Sequence, residues 1–138
     1  MNTMSTQHVI QRLAQLPAPD ETKIADLLGV ELVQDEEDSH TRFLEAVSAP
    51  EPYDRVELRL GKQDPDGLLV LHVAEDQSIA HDALILPEYG EPTDIDVNPH
   101  VPPEGEETES YTVGVVELSF AATATSHQLL YVALQWGD

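Results

Sequence analysis

The clearest hydrophobic pattern in the chain is a strict alternation in its last quarter. Two runs share it, separated by a polar stretch at 123–127: Val116, Leu118, Phe120 and Ala122, then Leu130, Val132, Leu134 and Trp136. Period two over this length is typical of β-strands with one buried face. The sequence therefore predicts a closing hairpin within 111–136, and we expect this hairpin to form the middle of a sheet.

The opposite face of the predicted hairpin is also rather apolar. It carries Val115, Leu129, Tyr131 and Ala133. Two interpretations stay open for this face: a helix covers it as part of the core, or a second subunit does.

Two short helices are predicted before the first strand. The first has apolar residues at i, i+1, i+4 and i+7 from Val9, a single stripe, and Ser5 or Thr6 can cap it. The second begins at an Asp20 cap and ends at Gly29, which suits a left-handed C-terminal position. We expect both helices to lie on the sheet.

Further strands are predicted at 30–33, 42–47, 55–60, 68–74 and 83–86. The 64–67 segment, Asp-Pro-Asp-Gly, predicts a turn between the third and fourth of these, because proline presets φ and glycine accepts positive φ. The 68–74 strand is apolar on both faces, so we expect it to be central. The whole chain is predicted to be one α+β domain, with two N-terminal helices packed on an antiparallel sheet of about five or six strands.

Two segments concentrate acidic residues. Asp35, Glu36, Glu37 and Asp38 are consecutive, and such a run is typical of an exposed loop. The 88–109 segment combines acids with four prolines and two glycines, so the sequence predicts a long acidic, proline-rich loop there. A loop of this length is either functional or disordered.

Charge is the strongest compositional signal. The chain has 27 acidic residues against 6 lysines and arginines, a formal net charge of −21. Such a surface repels nucleic acids and anionic membranes, and it attracts proteins with a basic surface. Two explanations stay open: a basic partner, or solubility in a salt-rich cytosol. Imitation of a nucleic acid is a less favoured form of the first.

Several classes of protein are disfavoured by what the sequence lacks. It has no cysteine, hence no disulfide, thiolate metal site or cysteine nucleophile. No apolar run approaches the ~20 residues of a membrane span. The first residues lack the charged and apolar regions of a signal peptide, which predicts a cytoplasmic protein, although the mature form of an exported protein would look the same.

Candidate metal sites are incomplete. Asp94, Asp96 and Asn98 have the spacing of the first ligands of a calcium loop, but Pro99 stands where that loop needs glycine, and Gly105 where it needs glutamate. Six histidines are scattered without the spacing of a helical zinc site. A pair such as His72 with His81, assembled by folding, stays open, but we predict no metal and no cofactor.

Three function hypotheses remain. The first is a non-enzymatic binding protein for a basic partner, such as an inhibitor, an immunity protein or a chaperone. Its contact residues would be Asp35, Glu36, Glu37, Asp38, Asp94, Asp96, Glu104, Glu106 and Glu107. The second is an assembly subunit, for example a homodimer, that associates through Val115, Leu129 and Tyr131. The third is a small enzyme with a pocket between helices and sheet near His72 and Glu117.

No catalytic motif supports the third hypothesis. The nucleophile elbow, the dinucleotide-binding loop and the phosphate-binding loop are all absent from the sequence. The predicted order of two helices and then antiparallel strands is shared by cystatin-like domains, secretion chaperones and bacterial immunity proteins. That likeness is one of architecture alone and assigns no residue.

Overall fold

The chain forms two helices followed by one antiparallel sheet. The computed structural model describes residues 3–50, 52–62, 66–74, 76–99 and 105–137. The elements are α1 Thr3–Ala14, α2 Glu21–Leu28, β1 Leu32–Glu37, β2 Thr41–Ala46, β3 Tyr53–Gly61, β4 Gly67–Val73, β5 Asp94–Asn98, β6 Glu106–Val113, β7 Val116–Thr123 and β8 Leu129–Trp136, with a 3₁₀ turn at Pro87–Tyr89. The predicted α+β class is confirmed, but the prediction of five or six strands was wrong, since the sheet has eight strands within these ranges.

The sheet consists of two four-stranded meanders joined along their last strands. The strand order is β1-β2-β3-β4-β8-β7-β6-β5, and every neighbouring pair is antiparallel. The central position predicted for the 68–74 strand is confirmed, because β4 pairs with β8. The closing hairpin β7–β8 is likewise internal. Each meander starts at an edge and ends at the centre, so β1 and β5 are the two edges.

Three sequence predictions for the strands were wrong. The 88–109 segment is not a continuous loop, because β5 and the start of β6 lie inside it and pair with each other. The acidic run predicted as an exposed loop is largely the end of β1. The predicted strand at 83–86 is a turn and the approach to the 3₁₀ turn. In the first two cases backbone pairing with a neighbouring strand, which local propensity does not report, decides the conformation.

The helices bury their apolar stripes in the same cluster as one face of the sheet. Ile10, Leu13 and Ile24 are fully buried together with Leu118 and other inward residues of the strands. No helix in the described ranges is long and apolar enough to cross a membrane.

The ends of the helices agree in part with the prediction. The Asp20 side chain accepts a hydrogen bond of 3.0 Å from the Lys23 N–H, and Gly29 has a φ of 69°, so both predicted α2 termini are confirmed. The cap predicted for α1 was wrong, because α1 already begins at Thr3 and Ser5 and Thr6 lie inside it. The indole N–H of Trp136 donates a 2.9 Å hydrogen bond to the Leu16 carbonyl, which ties the last strand to the chain just after α1.

The other face of the sheet is only partly buried. On β3, β4 and β8 the side chains that alternate with the core residues are mostly half-buried or exposed. We call this side the open face. It carries Glu57 of β3, His72 of β4 and Tyr131 of β8, among others.

A β-bulge in β8 changes which leucine enters the core. Tyr131 lies opposite Ala121, but Leu129 lies opposite Ala122, so Leu130 is the extra residue in the ladder. Leu129 is 3% exposed, whereas Leu130 is half-buried. The predicted inward position of Leu130 was therefore wrong at this end of the strand, while Val132, Leu134 and Trp136 are buried as expected.

The bulge generates a stability prediction. Leu129→Ala should lower the free energy of unfolding by about 3 kcal/mol, because it removes a fully buried side chain. Leu130→Ala, the matched control one residue away, should lower it by about 1 kcal/mol or less. Urea unfolding followed by circular dichroism measures both. A larger loss for Leu130→Ala would contradict the bulged register.

Two tyrosine hydroxyls are buried without a partner among the described residues, those of Tyr53 and Tyr89. Burial raises the pKa of Tyr53 above its usual range and that of Tyr89 to about 12. Tyr89 also contacts the rings of Tyr111 and Phe120, with centroids 6.1 and 6.4 Å away. The Tyr53 and Tyr89 rings therefore pack as apolar groups, and burying their hydroxyls lowers the stability of the fold.

Removing such a hydroxyl should stabilise the protein. We expect Tyr53→Phe to raise the free energy of unfolding at pH 7 by about 1 kcal/mol, since no hydrogen bond is lost. The folded state disfavours the ionised form of a tyrosine whose pKa is raised on folding. The free energy of unfolding is therefore unaffected by this group below pH 10 and decreases as the pH rises through the folded pKa. Stability measured from pH 8 upward should therefore fall above pH 10 in the wild type and less in Tyr53→Phe. An unchanged alkaline loss would contradict this assignment.

Candidate functional site

The predicted contact acids form two groups at opposite edges of the sheet. The β1 acids, in and just after β1, are Asp35, Glu36, Glu37 and Asp38. The β5–β6 acids are Asp94, Asp96, Glu106 and Glu107. Glu104 lies outside the described residues. Seven strand spacings of about 4.8 Å separate the two edges, or roughly 34 Å, so the structure does not bring the groups together.

The β1 acids have partners within the fold. Glu37 forms a 3.0 Å ion pair with Lys62. The Asp38 carboxylate accepts hydrogen bonds of 2.8 and 2.7 Å from the backbone N–H groups of His40 and Thr41, and these bonds lower its pKa. Asp38 thus stabilises the turn from β1 to β2. Part of this acidic run therefore has a structural role.

The β5–β6 acids have no cation near them. All six lysines and arginines of the chain lie at or before Lys62, and the rest of the sequence carries fifteen acids and no such cation. The five ion pairs among the described residues join partners in α2, β1, β2, β3, β4 and Lys62, and none includes a residue of β5 or β6. The β5–β6 end of the sheet is therefore an uncompensated negative surface.

This segregation of charge was visible in the sequence as the absence of lysine and arginine after Lys62. The total charge and the local acidic runs did not show that the two groups of acids differ in their compensation by cations. Only the topology shows what the asymmetry means, because it places the cation-free strands together on one side of the sheet. The stronger candidate surface is thus identified by the distribution of lysine and arginine along the chain, not by the acidic residues themselves.

Apolar side chains accompany the β5–β6 acids. All five residues of β5 are exposed, and Ile95 and Val97 are 53% and 56% exposed. In the register with β6, Ile95 lies opposite Glu109 and Val97 opposite Glu107, so each apolar side chain has an acid beside it on the same side of the sheet. Asp94 and Asp96 point to the other side. The edge therefore offers charge on both sides and exposed apolar groups on one.

A second polar arrangement lies on the open face. Arg55 pairs with Glu45 at 2.7 Å and with Glu57 at 3.3 Å, and Glu57 also contacts the His72 ring nitrogen at 2.6 Å. Glu45, Asp54, Arg55 and His72 line an open depression of about 520 Å³. Acids and bases compensate each other here, in contrast to the β5–β6 end.

Tyr131 continues this arrangement toward the β5–β6 acids. Its ring contacts His72 with centroids 6.2 Å apart, and its hydroxyl lies by the side chains of Glu106 and Thr108. One row of paired residues crosses three strands here, formed by Thr108, Ala121 and Tyr131. Because the Ala121 side chain is small, the tyrosine ring can extend across β7. Burial and then the Glu106 charge raise the pKa of Tyr131. Tyr131 of β8 therefore lies beside Glu106 of β6.

The metal and histidine hypotheses receive no geometric support. Asp94, Asp96 and Asn98 lie along one extended strand, where alternate side chains are about 6.6 Å apart and do not converge on an ion. The His81 ring contacts His127 at 5.2 Å, not His72. In the described ranges no group of three or more histidine and acidic side chains is placed to hold a metal ion.

The residues proposed for an enzyme pocket and for an assembly face are also dispersed. His72 lies opposite Tyr131 and Glu117 opposite Gln135, so about 13 Å of β8 separates their rows, and both lie on the open face, not under the helices. Val115 is in the turn between β6 and β7, and Leu129 is buried in the core. Leu129 therefore cannot share an exposed face with Val115 and Tyr131.

The comparisons with known proteins add no assignment. No protein-family model, curated protein or solved structure matches this chain.

The unequal compensation of the two acidic groups generates a prediction. Neutralising three β5–β6 acids together, Asp94→Asn, Asp96→Asn and Glu107→Gln, should raise the free energy of unfolding by roughly 0.5 kcal/mol, because it relieves repulsion that no cation offsets. The matched control, Asp35→Asn, Glu36→Gln and Glu37→Gln, makes the same change of net charge but loses the Lys62 ion pair. It should stabilise less.

The measurement is urea unfolding of both triple variants at low and at high NaCl concentration. Salt screens exposed charges, so the difference between the variants should shrink as salt is added. Equal stabilisation by both variants would show that net charge alone matters.

Proposed function

We propose that this protein is a non-enzymatic binding module for a protein with a basic surface, and that it contacts this partner through the β5–β6 end of its sheet. The observation that carries the proposal is the uncompensated negative surface formed by Asp94, Asp96, Glu106 and Glu107 on strands without a neighbouring cation. An inhibitor, an immunity protein or a chaperone acts in this way, by covering or escorting its partner.

The physics of encounter supports this choice of surface. A field of one sign raises the rate of association with an oppositely charged partner by ~10–10³, and it does so most where no local counter-charge weakens it. The β1 acids contribute to the long-range field, but Lys62 and the backbone of the β1–β2 turn already engage two of them. The β5–β6 acids meet both requirements, a long-range field and carboxylates that form no ion pair among the described residues.

The acids of β5 and β6 are also held on strands. Five consecutive residue pairs join β5 to β6, and eight join β6 to β7. Carboxylates fixed on paired strands lose less conformational freedom on binding than those on a free loop, which favours affinity as well as rate.

Affinity capture with matched variants tests the proposal. The immobilised wild type is exposed at low salt to extracts of the source cells, and retained proteins are eluted with increasing NaCl. We expect a basic protein to be retained by the wild type and by the variant Asp35→Asn, Glu36→Gln, Glu37→Gln. The variant Asp94→Asn, Asp96→Asn, Glu107→Gln should retain it at least about tenfold less well, since charge-assisted contacts are lost.

Two results would contradict the proposal. Equal losses in both triple variants would mean that net charge, not the β5–β6 surface, is recognised. Retention that high salt does not weaken would mean that the contact is not electrostatic. Calorimetry with the purified partner at two salt concentrations then measures the loss of affinity in each variant and the dependence of the affinity on salt.

A further inference from the structure

The outer edge of β5 is an unpaired strand edge. Among the described residues β6 is its only neighbour in the sheet, so every second residue of β5 directs its N–H and C=O groups away from that sheet. Such an edge can accept a further strand from another chain, with backbone hydrogen bonds supplying affinity and alternate side chains supplying specificity.

The two edges of this sheet differ in how well they could accept a strand. β1 has a register irregularity between Gln34 and Glu36, and a bulge of this kind twists an edge and interrupts its row of backbone groups. β5 pairs with β6 without any shift over its whole length, from Asp94 to Asn98. Its outer row is therefore regular.

The side chains of β5 alternate between acids and large apolar residues. Asp94 and Asp96 point to one side of the sheet, and Ile95 and Val97 to the other, where they are more than half exposed. Charged residues usually protect an edge from association, but exposed isoleucine and valine promote it. This edge therefore discourages strands of like charge and attracts a strand whose pattern complements its own.

The complementary strand follows from cross-strand pairing. Side chains directly opposite each other across a strand pair lie about 5 Å apart, so basic residues are favoured opposite Asp94 and Asp96, and apolar residues opposite Ile95 and Val97. A second copy of β5 is disfavoured, because an antiparallel pair centred on Asp96 would place two aspartates opposite each other.

We propose that β5 binds an extended segment of its partner by strand addition, and that this segment alternates basic and apolar residues. The inference rests on the proposed function, because it specifies how the basic partner is held. Glu107 and Glu109, beside Val97 and Ile95 on β6, surround the apolar positions with negative charge. They therefore favour further basic residues at the ends of the bound segment.

Two synthetic peptides of the same composition test this mode of binding. In one, lysine and valine alternate; in the other, the lysines are grouped at one end. Fluorescence anisotropy with the full chain at low salt gives both affinities. We expect the alternating peptide to bind about tenfold more tightly, because only it can place lysines and valines at the correct positions along β5.

A pair of matched variants locates the binding edge. Val97→Asn should weaken binding of the alternating peptide about tenfold, because an exposed valine on β5 loses its apolar contact. Val33→Asn makes the same change at a 48% exposed valine on the other edge strand, β1, and should leave the affinity within about twofold. Circular dichroism of both variants checks that they remain folded.

Amide hydrogen exchange of the wild type provides a readout that does not depend on variants. Addition of the alternating peptide should slow exchange at the outward-facing amides of β5 and leave β1 unchanged.

Equal affinity of the two peptides, or unchanged exchange in β5, would overturn strand addition. Strand addition can fail in this way while both peptides still bind the Asp94→Asn, Asp96→Asn, Glu107→Gln variant less tightly than the wild type. In that case the proposed acidic contact is supported and only strand addition is overturned. If that variant binds them as the wild type does, both proposals fail.

Discussion

The pairing of β4 with β8 is the interaction on which the rest of the structure depends. It joins two meanders that each need only local turns, and it places the most apolar strands at the centre of the sheet. Leu69 and Leu71 of β4 and Val132 and Leu134 of β8 are fully buried. A single long-range pairing thus creates the apolar face on which both helices bury their stripes.

The same pairing determines where charge accumulates. Because each meander runs from one edge to the centre, the N-terminal strands form one half of the sheet and the C-terminal strands the other. The lysines and arginines that form ion pairs among the described residues, Arg42, Arg55 and Lys62, pair only with acids of α2 and of β1 to β3. Arg55, for instance, pairs with both Glu45 and Glu57, whereas the acids of β5 have no such partner. Topology converts an asymmetry along the chain into an asymmetry across the surface.

The two sheet edges illustrate two ways to manage unpaired backbone. At β1 a register irregularity disturbs the edge, and the Asp38 turn closes it. At β5 the edge is regular and relies on acidic side chains, while leaving Ile95 and Val97 exposed. A protein that needed only to prevent association would gain nothing from those two residues, which is why we propose a binding role for β5.

The sequence by itself determined the elements whose pattern is strong and local. The alternation around Leu118 and Leu134 and the caps at Asp20 and Gly29 each rest on the chemistry of a few neighbouring residues, whereas the turn predicted at 64–67 lies partly outside the described residues. Their burial or conformation could therefore be predicted, as could the α+β class. The negative charge was equally plain from composition.

Only the tertiary structure decided the number of strands, the bulge at Leu130 and the separation of the two acidic groups. β5 has too few apolar residues to be recognised as a strand, and it becomes one because β6 supplies hydrogen bonds for its backbone. Leu129 replaces Leu130 in the core because the ladder between β7 and β8 shifts there. Such features depend on how neighbouring strands pair with each other, which the side-chain pattern of a single strand does not determine.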